Sequence, residues 1–483
     1  MLSPAILAEL RDVVGADGLI IERNQLQTYE CDALAVLRSL PGAVILPRST
    51  AQLQKAVAIC ARHHIPFVGR GAGTGLSGGA MPDDRGIVIS FARMTKFLAT
   101  DIPNQRITVE AGVINAHVTQ RVAPTGYFYA PDPSSQTVCT IGGNVAENSG
   151  GAHCLKYGFT TTHVLALEVV LPTGELVHLG SPTLDPPGYD LAGVFVGSEG
   201  TLGVASSMTL RIVRRPETVE VLLAAFDSIS AAGQSVSDII AASILPAAME
   251  IMDRLSIQAA EAAVHPHYPE CEALLLVELD GPSAEVDLQM QQVRKICKAN
   301  GAWEDRLAQS EQERMLVWKG RKAAFAAAGR LSPDYIVQDG VIPRTKLPMV
   351  LEKISEMAAE AGLRVSNVFH AGDGNLHPLV LFDASIPGQE EMAVELSTRI
   401  LHLCVDQGGS ITGEHGVGRD KQQAMGYMFS EPDLDTMQRV RCSFDPDNIA
   451  NPDKVFPRPR LCGEKTGKYT PHPLETAGVA EYF

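Results

Sequence analysis

Two histidines straddle an Asp-Gly pair in the run Asn367-Val368-Phe369-His370-Ala371-Gly372-Asp373-Gly374-Asn375-Leu376-His377-Pro378-Leu379-Val380-Leu381. Asp-Gly between apolar runs is a strong signal for a hairpin closed by a two-residue type I′ turn. With Asp373-Gly374 as that turn, Gly372 opposes Asn375, Ala371 opposes Leu376 and His370 opposes His377. Directly opposed residues leave the same face with Cβ atoms about 4.5–5.5 Å apart, so both imidazoles can reach one divalent ion. The alternative is two buried histidines bonded to their neighbours; symmetric placement about the turn favours the metal. A charged pair, Glu414-His415, stands in Thr412-Gly413-Glu414-His415-Gly416-Val417-Gly418, where flanking glycines leave room in a tight site. By itself such a pair is more often solvated surface. Cations for an anionic ligand stand in Trp318-Lys319-Gly320-Arg321-Lys322. Arginine binds carboxylate in a bidentate fork, whereas a solvated helical face accounts better for Lys319 and Lys322.

Three clusters of small residues suit close backbone contact with a flat polar ring and a diphosphate. The first is Gly69-Arg70-Gly71-Ala72-Gly73-Thr74-Gly75-Leu76-Ser77-Gly78-Gly79. Residues 73, 75 and 78 formally satisfy G-x-G-x-x-G, but a dinucleotide fingerprint also needs a helix opening within the loop. Ala80-Met81-Pro82-Asp83-Asp84-Arg85-Gly86 follows instead and cannot be one. Glycines still let successive N–H groups approach a pyrophosphate as an anion nest; the alternative is a flexible surface loop. In the second cluster Pro131-Asp132-Pro133-Ser134-Ser135 precedes Thr140-Ile141-Gly142-Gly143-Asn144-Val145-Ala146-Glu147-Asn148-Ser149-Gly150-Gly151. The third is Val196-Gly197-Ser198-Glu199-Gly200-Thr201-Leu202-Gly203.

The elements that must hold these residues follow from hydrophobic period. Residues 1–40 read as helical and mixed. Short β-branched runs at 43–47, 86–90 and 106–110 alternate with turns, and an amphipathic helix from Thr50 to His63 leads into a strand at 66–68. The composition shifts after Arg214-Arg215-Pro216. Helices at 228–242, 284–299, 345–361 and 390–407 then alternate with apolar strands such as 273–278, which suggests a second α/β domain with helices on a sheet. The Pro-rich tail from Phe456 to Phe483 shows no period.

A chain of 483 residues is too long for one ordinary core. The net charge of −16 argues against nucleic acid as a partner, but a local basic pocket for a small anion remains compatible with it. No two of the nine cysteines form a CxxC, so an iron–sulfur centre would lie on another chain, and a reducing compartment is the easier reading. The N-terminus lacks a signal-peptide pattern, and no stretch has the apolar length of a membrane span. A cytoplasmic protein, docked at most peripherally on a membrane complex, is the expectation.

The order of these clusters resembles the FAD-binding domain of the vanillyl-alcohol-oxidase-type flavoproteins. Within that superfamily the chain is most similar to the glycolate oxidase flavoprotein subunit and the FAD-linked D-lactate dehydrogenases, from about residue 40 to 455. The resemblance implies an α+β fold: a two-subdomain FAD-binding domain at 41–217 after an N-terminal segment at 1–40. An α/β substrate or cap domain at 218–430 carries the metal site, and a short helical segment at 431–483 returns to the FAD domain. It implies FAD held by Arg70, Gly71, Ala72, Gly73, Thr74, Gly75, Leu76 and Ser77. From the second cluster it adds Pro131, Asp132, Ser135, Gly142, Gly143, Asn144, Ala146, Asn148, Gly150 and Gly151; Glu199, Gly203 and Asn451 complete the set. Some relatives attach FAD covalently through a histidine in the first loop; this loop has Arg70 and no histidine, so non-covalent FAD is implied.

The resemblance also makes Glu414 the third ligand of a zinc, manganese or iron ion beside His370 and His377. His415 is then the base and Arg321 the substrate-carboxylate arginine. The chemistry would be oxidation of a 2-hydroxy acid: His415 takes the hydroxyl proton and the C2 hydride passes to flavin N5. Relatives acting on D-2-hydroxyglutarate carry a lysine where this chain aligns Val337, which favours glycolate or D-lactate over a dicarboxylate. Competing readings are a D-2-hydroxyglutarate-type dehydrogenase, an ether-lipid synthase-like reaction, a non-catalytic FAD-containing subunit of an oxidase complex, and a metal-dependent hydrolase, which leaves the glycine clusters unexplained. Partners that fit are iron–sulfur or other electron-transfer subunits; the oligomeric state is open.

Overall fold

The computed structural model describes residues 2–183 and 188–457. Most of the Pro-rich tail lies outside them.

Helix Thr50–His63 shows how local sequence sets the first unit. Ser49 caps it by accepting from Gln52 N, and Leu53, Ala56, Val57 and Cys60 form its buried stripe. It crosses over between strands Ala43–Ile45 and Phe67–Arg70, both parallel to Ile87–Ser90. Strand Leu19–Ile20 adds to this sheet, and Leu10 and Val14 of helix Pro4–Val14 join the same core. The N-terminal segment is therefore packed into the first unit. A five-stranded antiparallel sheet shares that core, in the order Phe97–Asp101, Arg106–Glu110, Val204–Arg211, Val164–Val170, Leu176–Gly180. No helix forms between residues 71 and 86, consistent with a glycine loop that is not a Rossmann turn.

The second unit is a nine-stranded sheet. Strand Ala273–Gly281 lies inside it, between Thr218–Phe226 and Ala248–Asp253. Its alternate residues Ala273, Leu275, Val277 and Leu279 enter one core, while Leu274 and Leu276 enter the other. Burial on both faces explains an unbroken apolar run. Helices cover both faces, as the strand–helix alternation implies, yet every pairing in this sheet is antiparallel. Helix Glu311–Ala327 packs on one face with Val317 and Ala324. On the other, helices Leu347–Glu360 and Gln389–Asp406 bury Ile354 and Ile400. After helix Glu431–Phe444 the chain returns to the first sheet, where Phe67 N donates to Ile449 O and Asn451 N to Phe67 O.

Candidate active site

The hairpin differs from its expected register. Strand Arg364–His370 pairs His370 with Asn375 and Asn367 with Pro378. The connection is the four-residue turn 371–374, and Gly374 has positive φ (78°) while Asp373 does not. A type I′ turn at Asp373-Gly374 is thereby excluded. Tertiary contacts set this loop: Gly372 N donates to Met249 O, Arg344 Nη1 donates to Gly372 O, and a methyl on Gly374 would collide with the Ile342 carbonyl. The register is displaced by two residues, which preserves side-chain parity. His370 and His377 therefore share a face, their ring centroids 5.1 Å apart.

Loop 412–418 brings the carboxylate to these rings. His370 Nε2 and His377 Nε2 lie 3.2 and 3.4 Å from Glu414 Oε1. Ligand atoms of His370, His377 and Glu414 all fall within 4.8 Å of one another, and so do those of a second triad, Asp339, His377 and His415. His377 Nε2 is buried and, despite those distances, makes no directed hydrogen bond. An unsatisfied nitrogen among carboxylates and imidazoles fits a divalent cation. His415 stacks on His377 at 4.9 Å.

Two buried acids missed by the sequence reading organise this cluster. Glu250, with no solvent exposure, joins His370 Nδ1 at 2.6 Å through Oε1. Its Oε2 accepts from Arg321 Nε at 2.7 Å and meets Nη2 at 2.5 Å. The arginine's bidentate fork is thus spent on Glu250, and its Nη1 side remains for a ligand. Asp339, also unexposed, accepts from Thr412 Oγ1 at 2.6 Å and from the N–H groups of Gly413, Glu414 and His415. Neither acid belongs to a local motif; their separations of |i−j| = 120 from His370 and 76 from His415 hide them.

The electrostatics follow. Burial disfavours charge on His370, but Glu250 and Glu414 outweigh it and hold its pKa well above the usual value. Burial likewise opposes ionisation of Glu414, and His370 and His377 bring it down to about 2. His415 is different: burial pushes it down to about 4 against the pull of Asp339, leaving a neutral imidazole at physiological pH.

His377, Glu414 and His415 line a cavity of about 480 Å³ together with Arg321 and the three glycine clusters. The wall includes Arg70 to Leu76, then Ser135, Gly142, Gly143, Asn144 and Ala146, and Glu199 and Gly203. None of the N–H groups from Gly71 to Leu76 donates to a backbone carbonyl among the described residues. A methyl on Gly71 would overlap the Thr140 hydroxyl. A row of unpaired donors on backbone this closely packed fits the diphosphate of FAD.

Seven of the expected cofactor contacts stand off this wall. Ser77 O accepts from Arg419 N and Asp420 N. Pro131 O accepts from Asn115 Nδ2, and Asp132 pairs with His153 at 3.0 Å. Asn148 accepts from Thr161 N, while Gly150 lies against Glu414 Oε2 and Phe159, and Gly151 against Asp132. Asn451 Nδ2 donates to Gly79 O and Glu199 O. These residues brace the loops that form the wall.

Residues 41–180 match the family model of an FAD binding domain, and residues 215–455 that of the C-terminal domain of FAD linked oxidases. The glycolate oxidase subunit GlcD of Escherichia coli K12 is 47% identical across 97% of this chain and 94% of that protein. GlcD of Bacillus subtilis is 38% identical across 94% and 97%. A D-lactate dehydrogenase of Anaerostipes hadrus is 31% identical across 94% and 98%. Among solved structures, p-cresol methylhydroxylase with substrate bound superposes with TM-score 0.80 at 17% identity, across 93% of this chain and 96% of that one. An alkyldihydroxyacetonephosphate synthase superposes at 0.73 and 18% identity, across 94% and 85%. These two share the fold.

Proposed function

The chain belongs to the FAD-linked oxidase family, and from that premise we propose that it oxidises glycolate or D-lactate to the 2-oxo acid with non-covalent FAD and one divalent cation. The single observation that carries this reading is convergence. A proton acceptor, a carboxylate-binding cation and a His/Glu cluster meet on the wall of one glycine-lined cavity. When bound, FAD would supply the acceptor for the C2 hydride, and a cation, which His370, His377 and Glu414 would hold, would acidify the C2 hydroxyl.

The protein's own groups do the rest. The Nη1 side of Arg321 binds the substrate carboxylate and so orients C2. Glu250 holds Arg321 and His370 in one rigid unit. The neutral His415 ring takes the hydroxyl proton, and Asp339 fixes the backbone that presents it. Because Arg321 is 3% exposed and already neutralised by Glu250, a second distal carboxylate finds no spare fork there. An iron–sulfur or other electron-transfer subunit would be the partner that takes up the electrons. No helix among the described residues is long and apolar enough to cross a membrane.

The test is anaerobic titration of the FAD-loaded protein with glycolate and with D-lactate, followed in the visible spectrum. Either acid should bleach the flavin band, and acid precipitation should release the yellow colour to the supernatant. An unbleached band with both acids, or colour retained in the pellet, contradicts this proposal.

A further inference from the structure

Glu147 ends the helix Ile141–Glu147 and lines the cavity, although no chemistry described so far uses it. Its Oε2 is buried and has no hydrogen-bond partner. The neighbouring acid is fully engaged: Glu199 accepts from Val417 N on Oε1 at 2.7 Å and from Gly418 N on Oε2 at 2.6 Å. A methyl placed on Gly416 would lie 2.5 Å from Glu147 Oε2 and 2.9 Å from Glu199 Oε1. The two carboxyls thus face one another across a bare stretch of backbone.

Carboxyls placed this way do not both ionise readily. Burial raises Glu199 as well, but the N–H donors of Val417 and Gly418 on its two oxygens favour charge there over charge on Glu147. Burial, then Glu199, then Asp32 push the Glu147 carboxyl well above the usual range, with Lys421 opposing; Lys421 and Lys454 draw Glu199 down. Glu147 is half-buried, and an oxygen shut from water without a donor is costly unless a ligand pairs with the carboxyl. The position of that ligand follows from the chain: Gly416 comes directly after His415, and His377, Glu414 and His415 line the same cavity. Hydroxy-acid oxidation at those residues requires the flavin ring at this end.

We infer that Glu147 is a cofactor contact, a neutral acid that donates its O–H to an acceptor oxygen or nitrogen of the flavin. The inference rests on the FAD-dependent reading above. Apo-protein of the parent, Glu147→Gln and Glu147→Leu is titrated with FAD, following flavin fluorescence and the long-wavelength absorption band. Loss of the donor in Glu147→Leu should weaken FAD binding about 10-fold and shift the band. Glu147→Gln keeps a neutral donor and should stay within about 3-fold of the parent. Melting curves of the apo-proteins check folding, and Glu147→Met, close in volume, replaces a leucine variant that melts early. Parent-like affinity and an unshifted band in the apolar variant overturn the contact. Tighter FAD binding by Glu147→Gln means an ionised, repelling carboxylate and overturns the neutral acid. A parent that binds no FAD sinks the proposed function itself, an outcome distinct from either.

Discussion

Replacing Glu250 by glutamine tests whether one buried carboxylate unites substrate binding and metal binding. Glu250 has no solvent exposure, and its partners Arg321 and His370 are 3% and 4% exposed. Solvent screening therefore does little to soften the change. Its Oε2 serves Arg321 through Nε at 2.7 Å and Nη2 at 2.5 Å, and its Oε1 serves His370 Nδ1 at 2.6 Å. Glutamine is isosteric but neutral, and its NH₂ must face one of these donors. Removing one partner of a buried ion pair costs about 3–5 kcal/mol, since the other charge stays buried and unpaired. A domain stable by ~5–15 kcal/mol survives this and can be assayed. Glu250 also holds His370 at Nδ1 so that Nε2 faces Glu414, and loss of such a support lowers metal affinity roughly 10–100-fold. The assay is urea denaturation of the apo-protein together with metal titration by calorimetry. Arg321→Met in the Glu250→Gln background should recover much of the lost stability, because no lone charge remains. A loss below about 1 kcal/mol for Glu250→Gln, with parent-like metal affinity, would refute the reasoning.

Three further outcomes can be checked. His415→Ala should slow flavin reduction by about 10²–10⁴-fold in anaerobic stopped flow, with FAD and metal at full occupancy; an unchanged rate puts the base elsewhere. Chelation should abolish flavin reduction by substrate while the flavin stays bound, and a metal-free enzyme that keeps its full rate contradicts a catalytic cation. His153 joins Asp132 of the first unit at 3.0 Å to Glu278 of the second at 2.9 Å. Burial opposes its charge, but these carboxylates raise its pKa well above the usual value. The folded state then binds the extra proton, so this stabilisation is full below about pH 6.5 and fades as pH rises through the folded pKa. Denaturation midpoints should fall with rising pH in the parent and fall less in His153→Gln, and equal slopes argue against the clasp.

Much of the fold was legible because it is local. Ser49 and the Leu53/Ala56/Val57/Cys60 stripe bound a helix whose observed limits, Thr50–His63, are those its periodicity predicts. The helices at 283–299, 347–360 and 389–406 lie within two residues of the expected limits for the same reason. The hairpin was legible only in part. Side-chain alternation put His370 and His377 on one face, but the turn type yielded to contacts from Met249, Ile342 and Arg344, which no local rule weighs. For Arg321 the residue type indicated a cation, and the structure made it a paired one.

By itself the sequence determined what periodicity and backbone chemistry decide over a few residues: glycine loops able to bare their N–H groups, helix limits, strand parity, and the residue types able to take a proton or hold a cation. Tertiary structure alone decided which of them meet. Glu250 reaches His370 because strands Ala248–Asp253 and Arg364–His370 are neighbours, with Glu250 in register with His370. Asp339 reaches the 412–415 loop because Val341 bridges Ser410, and Glu147 faces Glu199 only because loop 416–418 folds between them. Strand order and loop docking are fixed by burial summed over a whole core. A carboxylate's partner, and with it its charge, therefore depends on contacts that chain neighbours do not encode.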